Sequence, residues 1–269
     1  MIEVEEFISF DNTRLHIEKS FVENSSNLCI IVHGLSEHGS RYQNISRLLN
    51  QNGFSVITFD NRGNARSGGK KGDCENFNDF LDDVHAIKMH YGKNFSRVFL
   101  IGHSLGGFIV NAYGAKYNDV DGIVSSGAVG IFLKQVKLLK FLPYKLFKNI
   151  NIKNNLAKCL THDEEVVQNY ISDPLICKTN KLQLFGEVFI NGIKYLQKNI
   201  TNLTVPILYL HGSDDQIVPK ESSQYLYEHV GSKDKKIIIY EEMYHEILNE
   251  IDKKQVYNDI LEWLTEHAN

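Results

Sequence analysis

At 269 residues the chain is longer than a usual single domain, but one large α/β sheet with an inserted lid holds such a length as one unit. Its 42% apolar and 23% charged residues match a globular protein with a sizeable core and exclude the disordered and fibrous classes. A formal charge of -4 carries no basic excess, so nucleic acid is set aside as a partner.

Cys29, Cys74, Cys159 and Cys177 are scattered without a CxxC pair, which indicates neither a disulfide framework nor a zinc cluster and favours a reducing compartment. Glu3, Glu5 and Glu6 stand where a cleaved export signal would carry positive charge. The longest apolar runs, such as residues 205–210, are strand-sized and too short to span a bilayer. A cytoplasmic protein, at most peripheral to a membrane, is the expectation.

In chain order, the β-branched run at residues 28–32 predicts a buried strand ending at His33-Gly34. Residues 42–50 place Ile45, Leu48 and Leu49 at helical spacing and close at Asn52-Gly53, a helix-stop signal before a second strand at 54–59. The polar stretch 24–27 reads as a hairpin or loop. A helix around 77–91, a strand at 97–101, a helix from 104 to 116 and a strand at 122–125 continue the pattern. Such alternation predicts an α/β fold with a mostly parallel central sheet flanked by helices.

After Gly127 the alternation fails. Residues 129–199 lack a clear buried strand and show helix-like patterning, which predicts an inserted helical cap between two core parts, 1–128 and 200–269. Its first half, 131–150, mixes Leu, Phe and Ile with Lys134, Lys137, Lys140, Lys145 and Lys148. The reading preferred for it is a lid helix with solvated lysines; a basic apolar segment of this kind also suits an anionic membrane surface. Its apolar positions would permit transient membrane contact or a homodimer. The core resumes with a strand at 205–210, a helix near 221–230, a strand at 236–240 and a final helix at 253–266.

Gly102-His103-Ser104-Leu105-Gly106 follows a predicted strand and opens a predicted helix, the context of a nucleophile elbow. A strained turn that exposes a serine hydroxyl needs small neighbours, and Gly102, Gly106 and Gly107 supply them. Serine is a poor nucleophile at neutral pH and requires a base with a residue to orient it. An acid, Asp214 or Asp215, follows the strand at 205–210, and His245 follows the strand at 236–240. Loops at the carboxyl ends of parallel strands share one edge, so Ser104, the acid and His245 converge there. Spacing alone does not choose between the two aspartates, although Asp215 is preferred. The turn at His33-Gly34 aims the Leu35 N–H at the oxyanion site, and Leu105 supplies the second donor. The remaining histidines, His16, His85, His90, His162, His229 and His267 among them, read as bystanders, and His103 as a local packing residue.

Over nearly its whole length the chain resembles the monoacylglycerol lipase and lysophospholipase branch of the α/β-hydrolases. The matching segments are residues 33–42 (His-Gly-Leu-Ser-Glu-His-Gly-Ser-Arg-Tyr), 60–67, 102–107, 173–175, 211–215 and Tyr244-His245. In that family the acid stands three positions after the glycine of its loop, which selects Asp215, and the residues contacting the glycerol head fall on Glu37 and Arg41. Ser36 stands where relatives often carry a second glycine, and Leu248 where some carry another glycerol-contacting histidine. The resemblance implies cleavage of monoacylglycerol or lysophospholipid esters through an acyl-enzyme, without a metal or organic cofactor. Other carboxylic esters, thioesters or a peptide are the competing substrates, and a non-catalytic ligand-binding protein of the same fold is a remote alternative. A metalloprotease is excluded because Asn249 replaces the second histidine of HExxH, and a phosphate-binding loop because residues 63–69 lack the Lys-Ser/Thr ending.

Overall fold

The computed structural model describes residues 2–134, 136–140 and 143–268. A hairpin of β1 (Glu3–Ile8) and β2 (Arg14–Ser20) comes first. Then follow β3 (Asn27–Val32), α1 (Gln43–Gln51), β4 (Phe54–Phe59), α2 (Asn78–Tyr91), β5 (Arg97–His103), α3 (Leu105–Lys116) and β6 (Gly122–Ser126). The segment beyond Gly127 holds β7 (Asn151–Lys153), α4 (Glu164–Ser172), β8 (Thr179–Lys181), α5 (Leu182–Gly186) and α6 (Ile193–Asn199). Strand β9 (Ile207–Gly212), helix α7 (Glu221–His229), strand β10 (Lys235–Tyr240) and helix α8 (Lys253–Ala268) complete the chain.

Eight strands form one sheet in the order β1-β2-β4-β3-β5-β6-β9-β10, antiparallel from β1 to β4 and parallel from there on. Parallel strands covered on both faces are apolar throughout, and β4 (FSVITF), β5, β6 and β9 are almost wholly buried for this reason. Alternate residues of β3 divide between two cores. Leu28, Ile30 and Val32 join α2 and α3 on one face; Cys29 and Ile31 join Ile45 and Leu49 of α1 and Val256, Ile260, Trp263 and Leu264 of α8 on the other. Helix α3, buried along its length up to Lys116, is apolar all round and runs behind the sheet edge that carries Ser104. Among the described residues no helix is long and apolar enough to cross a membrane.

The structure differs from the sequence expectation in three places. The β1–β2 hairpin was not anticipated, because β1 carries apolar side chains on both faces and so shows no clean two-residue period: Phe7 packs on the core while Val4 and Ile8 are exposed. Strand β9 starts at Ile207 rather than 205, since Pro206 has no N–H for the ladder and offers only its carbonyl, which accepts from Ile123. Among the described residues of 131–150 there is no continuous helix. They make two single 3₁₀ turns, Lys137–Lys140 and Tyr144–Phe147, with Pro143 between them as the break. Phe141, Leu142 and the side chain of Lys137 lie outside the described residues.

One buried ion pair fastens the hairpin to the parallel part of the fold. Arg62 donates through Nε and Nη2 to both oxygens of Asp83 on α2, each at 2.7 Å, and through Nη1 to Asp11 in the hairpin turn at 2.9 Å. Ser9 of the same turn donates to Asp83. Asp83 is buried and Asp11 is 37% exposed. Arg62→Met is therefore expected to lower stability by about 3–5 kcal/mol by stranding the Asp83 carboxylate. Asp11→Asn on the wetter side should cost under about 1 kcal/mol. Urea denaturation of the two variants checks the ratio.

Candidate active site

Ser104 sits between β5 and α3 with φ 55° and ψ -114°, a left-handed conformation that a side-chain-bearing residue adopts only when its surroundings enforce it. Close packing enforces it here. A Cβ on Gly106 would lie 2.0 Å from the Val32 carbonyl oxygen, and one on Gly102 would lie 2.3 Å from the Gly106 oxygen. The Ser104 N–H donates to the Ser126 carbonyl at 2.8 Å, and the residue lines a cavity.

Three residues from three loops meet at this point. Ser104 Oγ donates to His245 Nε2 at 2.8 Å, and His245 Nδ1 donates to Asp215 Oδ2 at 2.6 Å. The serine follows β5, the aspartate β9 and the histidine β10, all strands of the parallel part, so their carboxyl ends lie along one edge. Asp214, the competing acid, is exposed and accepts from the Ser213 hydroxyl instead.

Asp215 is saturated with donors. Its Oδ1 accepts the Ile217 and Val218 N–H groups at 2.8 and 2.9 Å, and its Oδ2 lies 3.0 Å from His211 Nε2 as well as against His245. His211 carries its proton on Nε2, because that atom faces two acceptors, Asp215 and the Val218 carbonyl, while Nδ1 faces the Ser223 hydroxyl. Burial pushes the Asp215 carboxyl up, and the charge and hydrogen bonds of His245 and His211 outweigh it, holding the group far below the usual carboxylate range. Burial likewise opposes charge on His245. Asp215 outweighs that effect, with help from Glu246 and Glu37, and raises the imidazole above its ordinary value. His103, ring to ring with His245 at 4.7 Å, is pushed down to about 4, first by burial and then by His245. It stays neutral and bonds to Ser126.

The two expected oxyanion segments flank the hydroxyl. Leu105 is the first residue of α3, whose leading N–H groups have no partner within the helix. Gly34 abuts the serine so closely that a Cβ on it would lie 3.1 Å from Ser104 Cβ. Leu35 and Ser104 share a cavity of about 210 Å³ walled by Val129, Leu133, Val136, Leu156, Phe185, Phe189, Ile217 and Val218, with Asn155, Cys159 and Gln216 as its polar members.

Glu37 and Arg41, expected at the polar head of a substrate, are not among the described residues that line this cavity. They belong to a buried chain behind it. Glu37 Oε1 accepts from the Gly34 N–H and the Tyr42 hydroxyl, and Oε2 from Arg41. Arg41 in turn forms a two-pronged bond to Glu246 at 2.6 and 2.7 Å and lies over the Tyr170 ring. Leu248, at the second departure from the family pattern, is buried in the apolar core with Met243 and Ile247. Sequence reasoning gave no role to Glu246, and took His211 only as part of a motif. The four-residue spacing of His211 and Asp215 was the one available signal.

A Ser-His-Asp hydrogen-bonded chain at the carboxyl edge of a mostly parallel eight-stranded sheet defines a hydrolase of the α/β type. Comparison with known proteins narrows the class: the chain belongs to the family described as serine aminopeptidase, S33, which matches residues 23–252. It is 31% identical over 247 residues to the monoacylglycerol lipase of Mycolicibacterium smegmatis, covering 88% of each chain. The crystal structure of Paleococcus ferrophilus monoacylglycerol lipase superimposes with a TM-score of 0.85 at 31% identity, over 94% of this chain and 99% of that one. A soluble variant of the Saccharomyces cerevisiae monoglyceride lipase, solved with a substrate analogue, does so with a TM-score of 0.87 at 25% identity, over 100% and 96%.

The electrostatics set a pH profile. His245 must be neutral to take a proton, so kcat/KM is expected to rise through a midpoint above about 6.5, the free imidazole value. Asp215→Asn should lower kcat by about 10⁴-fold by releasing the wrong tautomer. Asp214→Asn, at an exposed position, should leave kcat nearly unchanged. A pH series on a short p-nitrophenyl ester reads both effects.

Proposed function

We propose that the chain hydrolyses monoacylglycerols to a fatty acid and glycerol, with Ser104 as nucleophile, His245 as general base and Asp215 as the orienting acid. The observation that carries this reading is the unbroken Ser104–His245–Asp215 chain opening onto an apolar cavity, the arrangement an acyl ester requires. As Ser104 Oγ attacks the ester carbonyl, its proton passes to His245 Nε2. The tetrahedral oxyanion is met by the N–H groups of Leu35 and Leu105. Collapse expels the alcohol, which leaves with the proton from His245, and water attacks the acyl-enzyme in the same way to release the fatty acid. His245, Asp215 and the two backbone donors supply all the proton movement and charge stabilisation in these steps. Relatives named as monoacylglycerol lipases, aligned over most of the chain, support the choice of ester.

Residues 129–199 serve in this reading as a cap that furnishes most of the cavity wall, through Val129, Leu133, Val136, Leu156, Phe185 and Phe189. Its outer surface presents Leu146, 78% exposed, with Phe147 and Ile150, beside Lys145 and Lys148. Apolar side chains among lysines suit an anionic lipid surface, from which the substrate would enter. Glu37 and Arg41 act through the loop they hold, since their charged atoms are engaged with each other, with Gly34 and with Glu246.

Turnover of 1-monooleoylglycerol, lysophosphatidylcholine and p-nitrophenyl butyrate, compared for the wild type and Ser104→Ala, tests the assignment. Monooleoylglycerol should give the highest kcat/KM, should turn over faster from phosphatidylglycerol than from phosphatidylcholine vesicles, and should lose about 10⁶-fold in kcat in the variant. Preference for lysophosphatidylcholine, or cleavage of the short ester alone, would replace the substrate while leaving the triad standing.

A further inference from the structure

The cavity at Ser104 is divided by polarity. The lining side chains contributed by residues 129–136 and 185–189 are Val, Leu or Phe. Its polar members besides the serine, Asn155, Cys159 and Gln216, come from two segments that touch, since Cys159 Sγ donates to Gln216 Oε1 at 3.7 Å. That bond turns the carbonyl end of the Gln216 amide toward Cys159. Among the described residues, neither Gln216 Nε2 nor the Asn155 amide has a protein partner, and both residues are exposed to solvent. No charged side chain is among the described residues that line the cavity.

The reaction itself orients an ester here. His245 gives its proton to the leaving oxygen, so the alcohol departs on the His245 side of the carbonyl. Gln216 belongs to that side: it follows Asp215, the partner of His245, on a loop held to the Asp215 carboxylate by the Ile217 and Val218 N–H groups. The acyl chain is left with the Val, Leu and Phe walls, where apolar surface is taken out of water. The leaving group of a monoacylglycerol keeps two free hydroxyls, each both a donor and an acceptor. A carboxamide carries both functions without charge, so a pair of amides matches a diol. A phosphocholine head would bring two charges to a lining that offers none in return. Glu37 and Arg41 are already engaged with Gly34, Tyr42 and Glu246, which leaves the head to other groups.

We propose that the side-chain amides of Gln216 and Asn155 bind the free hydroxyls of the glycerol leaving group and so select a neutral polyol ester. The inference rests on the reading of Ser104 as nucleophile and of a monoacylglycerol as substrate, and adds the groups that tell its head from other alcohols.

Gln216→Met and Asn155→Leu remove the amides at nearly constant side-chain size, and the two are also combined. Monooleoylglycerol and ethyl oleate carry the same acyl chain and differ in the hydroxyls of the leaving group, so the ratio of their kcat/KM values reads head recognition and is independent of the active fraction of a preparation. The wild type is expected to favour monooleoylglycerol. Each single variant should lower the ratio by about threefold to tenfold, the worth of one hydrogen bond exchanged against water, and the double variant by more than about tenfold. A double variant whose ratio moves by less than about threefold, because neither ester or both esters alike lose activity, would overturn the inference, as would a wild type that hydrolyses the two esters equally well. In either case the triad and its ester chemistry stand. Preference of the wild type for lysophosphatidylcholine over monooleoylglycerol would instead remove the substrate reading beneath the inference, and activity of Ser104→Ala on both esters would remove the nucleophile.

Discussion

A carboxylate without exposed side-chain surface, Asp215, is the constraint around which the site is built. A charge so buried is tolerated only when hydrogen bonds replace its water. Two come from the N–H groups of Ile217 and Val218, which requires the loop after β9 to fold back on itself. Two more come from imidazoles: His211 from the strand below, and His245 from the loop after β10. For the two loops to lie so close, Gly212 must touch the other loop's backbone, and a Cβ there would sit 2.3 Å from the Met243 oxygen. Once His245 is fixed by its Nδ1 bond, its Nε2 has one place to face, and the strained elbow puts Ser104 Oγ there.

The loop on the other side of the hydroxyl is held just as firmly and by different means. Glu37 ties it to Arg41, and Arg41 ties it to Glu246, the neighbour of His245, so one buried ionic chain joins the turn at Gly34 to the loop that carries His245. The same two loops are bonded to residues between 160 and 180. Cys177 N and Asn180 Nδ2 donate to Ser36, His38 pairs with Asp173, and Glu246 N donates to the Leu160 carbonyl. Ser36 has φ 68°, a conformation that favours glycine, and its bonds to Cys177 and Asn180 are what a glycine there would only partly provide. The departure from the family pattern at this position thus ties the loop after β3 to residues 177–180.

Much of this was legible in the sequence, because the features concerned are local. Parallel strands buried on both faces announce themselves as apolar runs, and the elbow by glycines at fixed offsets from Ser104. What was illegible depends on distant partners. Glu37 and Arg41 were expected at the substrate head from the family resemblance alone, and besides engaging each other they are tied to a second carboxylate, Glu246, 205 residues beyond Arg41. Asp214 and Asp215 are the same residue type side by side, and only burial separates them. The segment 131–150 has the apolar content of a helix, yet its described residues form isolated turns on either side of Pro143.

Mass spectrometry of the protein after exposure to a fluorophosphonate addresses the central claim most directly, namely that the buried Asp215–His245 pair activates one serine. A single adduct is expected, mapped to the peptide containing Ser104, which forms rapidly in the wild type and is lost when His245 is replaced by alanine. An adduct on another serine, or labelling of Ser104 at an undiminished rate in His245→Ala, would contradict it.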